Sequence, residues 1–368
     1  MDAQRVSRLN PLMQELGLDG LIVIPGPNLF YLTGQSFHLM ERPVVALFPL
    51  DGEPAMVLPE LERSKGEAVP YPIRLFPYDE TDASRQSAFA AAARHARISK
   101  RRFGVEPLRM RYLELSLLTE AAGDSSLLAA GELLARLRQN KDESEVQAMR
   151  RAVRIAEQAL EATLPLVRQG MTERELAAEL VVQMLRAGSE PVLPFPPIVA
   201  SGPNSAIPHA FPTDRALGAG DLLILDWGAT FEGYISDLTR TFYLPPLDAE
   251  LAAIHQIVLQ ANQAGRAAVQ PGASAGAVDL AARQVIEVAG YGPAFTHRTG
   301  HGIGLEAHEP PFIRQDNFLA LDAGMTFTIE PGIYLEGRGG VRIEDNLLVT
   351  PDGAECLSSF ARELRAVA

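Results

Sequence analysis

The sequence predicts an α+β protein in two parts, an N-terminal α/β unit over residues 1–130 and a larger unit over residues 131–368 with helices on one face of a curved antiparallel sheet. Three observations carry this. Short apolar strands alternate with helical stretches early in the chain, a long amphipathic run follows, and the C-terminal half holds two hairpin patterns that each bear a pair of acids.

Taken in order, residues 21–25 (LIVIP), 44–50 (VVALFPL), 55–59 (AMVLP), 73–78 (IRLFPY) and 101–106 (RRFGVE) read as strands. Residues 4–16 (QRVSRLNPLMQEL) and 110–122 (MRYLELSLLTEAA) read as helices. Alternation fades over 121–130 (AAGDSSLLAA), and a long amphipathic helix begins within 136–167, which places the domain boundary near Gly123 to Gln139. Thr172 with Glu175 forms a capping-box pattern, Gly188 is a stop signal, and Ser274 opens a further helix that ends near Gly290.

Asp226 ends the apolar strand LLILDWGA, and Asp237 follows the turn in GYISDLTRTF. Whether Thr230 pairs with Gly233 or Phe231 with Tyr234, side chains alternate with period two, so both registers leave the two aspartates on one sheet face. Glu330 ends MTFTIE and Glu344 lies in GGVRIEDN, with Gly337 midway between them inside the turn EGRGG. Four carboxylates gathered this way repel one another, and burying them is prohibitive unless cations neutralise them. His301, in the glycine-flanked string THRTGHGIGLEAHE, adds an imidazole. Oxygen-rich ligation with one nitrogen best suits a pair of Mn²⁺ ions, with Co²⁺, Zn²⁺ or Fe²⁺ as alternatives.

The strings LDWGATFEGYISDLTRTF, HRTGHGIGLEAHE, TIEPGIY and VRIED resemble the motifs of the pita-bread metallopeptidases that cleave beside proline, the aminopeptidase P and prolidase group, related to methionine aminopeptidase and creatinase. The resemblance covers most of the chain and implies a creatinase-like N-terminal domain before a pita-bread catalytic domain. It implies that Asp226 and Asp237 bind one metal, that His301 and Glu330 bind the other, and that Asp237 and Glu344 bridge both. It also implies catalytic or substrate-contacting roles for His209, His297, His308 and Arg342. Two divalent ions lower the pKa of water far enough to supply hydroxide near neutral pH. The family pattern gives Glu330 a second task, taking the water's proton and passing it toward the leaving prolyl nitrogen.

On the residues themselves, His209 sits in the proline- and glycine-rich loop SGPNSAIPHAFPT, and His297 and His308 lie four residues before and seven after His301. Arg342 shares a strand face with Glu344, two residues on. His255 lies within a helical pattern and reads as packing or surface. Cys356, the single cysteine, reads as structural.

A formal charge of −13 argues against binding a phosphate backbone, so nucleic acid is not an expected partner. No apolar run approaches a membrane span, and the polar opening lacks the apolar core of a signal peptide, so the expectation is a cytoplasmic protein without a membrane partner. Short proline-containing peptides are the expected substrates. No residue declares itself as a clamp for a dipeptide's C-terminal carboxylate, which favours an X-Pro aminopeptidase over an X-Pro dipeptidase. Methionine aminopeptidase and a noncatalytic pita-bread module are the remoter alternatives. The loop with Phe37, His38, Leu39 and Met40 clusters apolar groups at an exposed connection. The family likeness implies a homodimer in which Phe37 and His38 narrow access to the site.

Overall fold

The computed structural model describes residues 3–368, and the chain divides into two compact units, Met1–Arg138 and Gln139–Ala368. The division falls at the far end of the Gly123–Gln139 window rather than at residue 130, because the helix Gly131–Arg138 belongs to the first unit. That helix buries Leu133, Leu134 and Leu137. The Tyr31 hydroxyl donates to the Leu137 carbonyl at 3.2 Å, and Arg138 donates to Asn28 Oδ1 at 2.8 Å.

Strands β1 (Gly20–Val23), β2 (Val45–Pro49), β3 (Ala55–Pro59), β4 (Arg74–Tyr78), β5 (Arg102–Val105) and β6 (Ser126–Ala129) form one sheet in the order β4-β3-β2-β1-β5-β6. The β1–β2 and β2–β3 pairs are antiparallel and the others parallel. Strand β6 lies where sequence alternation fades. It is a sheet edge with both ends exposed, so it has no buried face to mark it. The N-terminal helix is two, Ala3–Ser7 and Leu9–Glu15. The alanine-rich helix Asp82–His95 lacks the large apolar residues that make a pattern legible, yet with Tyr112–Ala122 it packs Phe89, Leu117 and Leu118 against Ile22, Val45 and Phe103.

In the second unit the long helix Glu143–Thr163 starts after Asp142, whose side chain accepts from Glu145 N while the Glu145 carboxylate accepts from Asp142 N. This capping box terminates the helix on its N-terminal side and separates it from Gly131–Arg138. Thr172 and Glu175 build the same box for Glu173–Ala187, which Gly188 ends at φ 103°, and Ser274 caps Ala275–Val288. The helices come in two pairs, and strands follow each pair. After the first come β7 (Ile198–Ser201), β8 (Leu222–Trp227), β9 (Thr230–Phe231), β10 (Tyr234–Ile235) and β11 (Leu238–Tyr243). After the second, formed by Ala249–Ala267 and Ala275–Val288, come β12 (Gly300–Gly302), β13 (Glu309–Ile313), β14 (Thr326–Ile329), β15 (Gly332–Leu335), β16 (Gly339–Arg342), β17 (Asp345–Thr350) and β18 (Gly353–Cys356).

The two halves repeat one plan: a single strand pairs antiparallel with the first arm of a long hairpin, β7 with β8–β11 and β12 with β14–β17. The first helix pair packs Ile155, Leu176 and Leu180 against Leu223, Trp227 and Phe242. The second packs Ile254 and Val258 against Ile333 and Val341, and Val278 against Phe327 and Leu347. Of the two registers open to the first hairpin, the chain takes Phe231 opposite Tyr234, which sets Asp226 opposite Thr239 and diagonal to Asp237. The second hairpin centres on Gly337 at φ 73°, with Gly332 opposite Arg342 and Ile329 opposite Asp345, so Glu330 and Glu344 face one another. An isolated bridge between Thr239 and Glu344 joins the hairpins. Among the described residues no helix is long and apolar enough to cross a membrane.

Gly300 shows how tightly the repeat is closed. A methyl group there would lie 1.8 Å from the Thr328 carbonyl oxygen, whereas at Gly218 the nearest atom is 3.5 Å away. Gly300→Ala is expected to lower stability by at least about 2 kcal/mol, the scale of core overpacking. Gly218→Ala should change it little, and urea unfolding midpoints of the two variants check the contrast.

Candidate metal centre

Each strand end delivers one functional side chain. Asp226 sits at the penultimate position of β8, Asp237 just before β11, Glu330 after β14 and Glu344 before β17. Period-two alternation then puts Asp237, Thr239 and Thr241 on one face of the β11 arm. The Thr239 hydroxyl donates to Glu344 Oε2 at 2.7 Å, and the Thr241 hydroxyl donates to the Arg342 carbonyl at 2.9 Å. These two threonines stitch the second hairpin to the first. His301 arrives from β12, where Glu330 N donates to the Thr299 carbonyl at 2.7 Å and His301 N to Thr328 Oγ1 at 3.1 Å.

The result is a buried cluster. Ligand atoms of Asp237, His301 and Glu344 all lie within 4.8 Å of one another. His301 Nε2 is 3.2 Å from Glu330 Oε1 and 3.7 Å from Asp237 Oδ2. His301 Nδ1 faces the Gly302 carbonyl at 3.2 Å, so that nitrogen holds a proton and Nε2 is the one turned toward the acids. Asp226 Oδ1 and Glu344 Oε1 are buried with no hydrogen-bond partner, the orphaned acceptors that a cation would satisfy. A donor set of four carboxylates and one imidazole therefore fits divalent cations.

Burial pushes the Asp237 carboxyl well above its usual range, and the charges of Glu344 and Asp226 add to the push. Glu344 is driven well up by burial and by Glu330 and Asp226. Asp226 is also raised by burial, with Arg342 pulling it back. Glu330 differs: burial opposes its charge, but the hydrogen bond and charge of His301 outweigh burial and draw its carboxyl down to about 2.

Around this core runs a hydrogen-bonded chain. Arg342 Nη2 donates to Asp226 Oδ2 at 2.5 Å, and Nη1 donates to the Tyr334 hydroxyl at 2.8 Å and to the Pro208 carbonyl at 3.1 Å. Tyr334 stands 2.8 Å from His297 Nε2, and His297 Nδ1 faces the Arg298 carbonyl at 2.7 Å. A carbonyl only accepts, so His297 carries its proton on Nδ1 and takes the tyrosine hydroxyl at Nε2. Protein groups occupy both of its nitrogens. His308 lies against His301 with ring centroids 3.9 Å apart and remains open to solvent, and His209 is exposed on its loop. Partial burial, with the charges of His301 and Arg298, lowers His308 to about 4, so its ring is neutral at pH 7.

Residues 147–351 match the model of "Metallopeptidase family M24", and residues 5–139 match the "Creatinase/Prolidase N-terminal domain". The chain belongs to metallopeptidase family M24. It is 33% identical over 364 residues to the Xaa-Pro dipeptidase of Pyrococcus furiosus, spanning 98% of this chain and 99% of that protein. The crystal structure of a dipeptidase from Pyrococcus horikoshii superposes with a TM-score of 0.93 at 38% identity, covering 99% of this chain and 100% of the other. That of the X-Pro aminopeptidase from Thermotoga maritima gives 0.85 at 30% identity, covering 98% and 99%. The repeated helix pairs and hairpins of this M24 chain are the pita-bread arrangement, preceded by a creatinase-like α/β domain.

The structure gathers all five acids and imidazoles expected as ligands, together with Arg342 and His297, and puts His308 against His301. Phe37 differs from its expectation. It is 7% exposed and packed within its own unit with Lys65 Nζ 5.4 Å from its ring, so it offers no surface to a ligand, while His38 stays exposed. Burial of one aromatic among its own neighbours outcompetes display at a loop. Sequence reading missed Tyr334, Thr239, Thr241 and Arg298. A Cβ at Gly332 would lie 2.5 Å from the Tyr334 hydroxyl, so that glycine makes room for the ring. His255 is buried, as packing requires, and burial lowers it to about 4.

Like charges held together without a cation oppose folding, and this has a measurable consequence. In chelator, Glu344→Gln is expected to melt a few degrees above the chelated parent, about 1 kcal/mol of relief in a domain of this size. With saturating Mn²⁺ the order should reverse, and calorimetry under both conditions checks it.

Proposed function

We propose that this chain hydrolyses the bond between an N-terminal residue and a following proline, using two divalent ions, with Mn²⁺ the best match, and preferring dipeptides. The observation that carries the metal reading is the close set of Asp237, His301 and Glu344 beside the unpartnered oxygens of Asp226 and Glu344. Asp226, Asp237, His301, Glu330 and Glu344 would hold the ions, with Asp237 and Glu344 shared. Bound ions would supply an acidified water and a polarised peptide carbonyl. The proline direction is supported by relatives named for X-Pro cleavage.

The chain's own residues account for the remaining steps. Glu330, 3.2 Å from His301 Nε2 at the edge of the cluster, is placed to accept a proton from the attacking water and return it to the prolyl nitrogen, which must be protonated to leave. A bond to proline has no N–H, so recognition rests on its carbonyls and ring. Neutral His308 and exposed His209 offer N–H groups to those carbonyls. His297, tied at both nitrogens, acts as a wall and a brace. Arg342 holds Asp226 and the His209 loop in one grip.

Arg298 shifts the balance toward dipeptides. Its guanidinium stacks on Phe312 at 4.5 Å, lies 3.4 Å from His308 Nδ1, and forms no ion pair with a carboxylate among the described residues. A half-buried cation without an acid partner, beside the histidine assigned to substrate, matches the C-terminal carboxylate that follows proline in a dipeptide.

Chelation is expected to abolish hydrolysis of Ala-Pro and Mn²⁺ to restore it; full activity after verified metal removal would refute the metal reading. Arg298→Ala should raise KM for Ala-Pro about tenfold or more, the scale of losing a charge-assisted contact, while cleavage of an X-Pro tripeptide changes little. If the parent prefers the tripeptide and Arg298→Ala is neutral, the chain is instead an X-Pro aminopeptidase.

A further inference from the structure

Glu173 is a carboxylate with 0% exposure that the chemistry above does not use. It opens the helix Glu173–Ala187, where the helix dipole favours an anion. Among the described residues it has no cationic partner within ion-pair distance, and neutral donors surround it instead. Its Oε1 accepts from Ser201 N at 2.7 Å, Ser201 Oγ at 2.8 Å and Asn204 Nδ2 at 3.1 Å. Its Oε2 accepts from Asn204 Nδ2 at 3.1 Å, Thr213 N at 3.0 Å and Thr213 Oγ1 at 2.6 Å. Ser201 and Asn204 stand before His209 in the chain and Thr213 after it, so one buried carboxylate ties both feet of the loop that carries His209.

The rest of the loop is seated on β16. Gly340 N donates to Ser205 Oγ at 2.9 Å, and Arg342 Nη1 donates to the Pro208 carbonyl at 3.1 Å. A Cβ at Gly340 would lie 2.2 Å from the Ser205 carbonyl oxygen, so the backbones touch. Arg215 braces the first foot, donating to Ser201 Oγ at 2.7 Å while paired with Asp221. Yet His209 itself is exposed, so its placement depends on the loop rather than on packing of its own ring.

We propose that Glu173 is a positioning residue that holds the His209 loop in its working shape, so that the imidazole meets substrate without a fresh ordering cost. The inference rests on the reading that His209 contacts substrate, and the test separates the two. In the metal-loaded chain, Glu173→Gln places an amide N–H₂ among donors and should lower kcat/KM for Ala-Pro about tenfold. In a His209→Ala background the same substitution should change it less than about twofold, because residues acting as a unit are not additive. Amide hydrogen exchange should speed up across residues 202–213 in Glu173→Gln while β8 and β11 keep their protection. Thr213→Val, which removes one hydroxyl donor and keeps the carboxylate, should show the same pattern more weakly and serves if Glu173→Gln does not fold. Equal losses in both backgrounds would make Glu173 merely structural and overturn the proposal, as would unchanged exchange in the loop. Full activity of His209→Ala would defeat the His209 reading, and with it the catalytic purpose assigned to Glu173, while the exchange measurement still reports whether the carboxylate fastens the loop.

Discussion

The contact on which the site depends is the pairing of Thr239 with Glu344. Glu344 N donates to the Thr239 carbonyl at 3.1 Å, and the Thr239 hydroxyl donates back to the Glu344 carboxylate at 2.7 Å. It is reinforced on either side, by the Thr241 hydroxyl on the Arg342 carbonyl and by Asn346, whose side chain bonds both the N–H and the carbonyl of Asp237. With it, the acids share one buried space and Arg342 comes within reach of Asp226. Alternation does the rest, since every second residue of β11 and of the arm leading to β17 faces the same side.

Such a cluster needs support from behind, and the opposite face of those strands supplies it. Arg240 is buried and donates to the Glu344 carbonyl at 2.6 Å, the Thr239 carbonyl at 2.8 Å and Asp345 Oδ1 at 2.9 Å. Arg362 grips Asp345 Oδ2 at 2.7 Å, and Arg266 approaches the same oxygen at 3.6 Å. Burial alone would raise the Asp345 carboxyl, but Arg240 and Arg362 prevail and hold it near 2. Three guanidinium groups around one carboxylate leave positive charge just behind Glu344, which offsets part of the repulsion among the acids in front.

The parts of this arrangement that could be read in the sequence follow simple geometric rules. The hairpins were legible because strand period and turn glycines constrain register to two choices, and the capping box at Thr172 and the cap at Ser274 because they are local. What remained hidden depends on partners distant in the chain. Tyr334 and Thr239 carry no mark of their own; their roles exist only once β16 and the Glu344 arm lie beside them. Strand β6 escaped because an exposed edge has no buried face, and Asp82–His95 because alanine gives helix without a stripe of large apolar residues. Phe37 misled for the converse reason, since a sequence lists apolar residues without saying which neighbours will cover them.

Thr239 and Glu344 are 105 residues apart, and closing a loop of that size costs about 4 kcal/mol in chain entropy before the contact returns anything. Each hairpin closes over far fewer residues, so joining the halves carries the larger entropic cost. A chain still being completed, or one frayed between its halves, therefore has carboxylates but no centre. Neither half alone carries the full ligand set: Asp226 and Asp237 come from the first, and His301, Glu330 and Glu344 from the second, so the site exists only where the halves are joined.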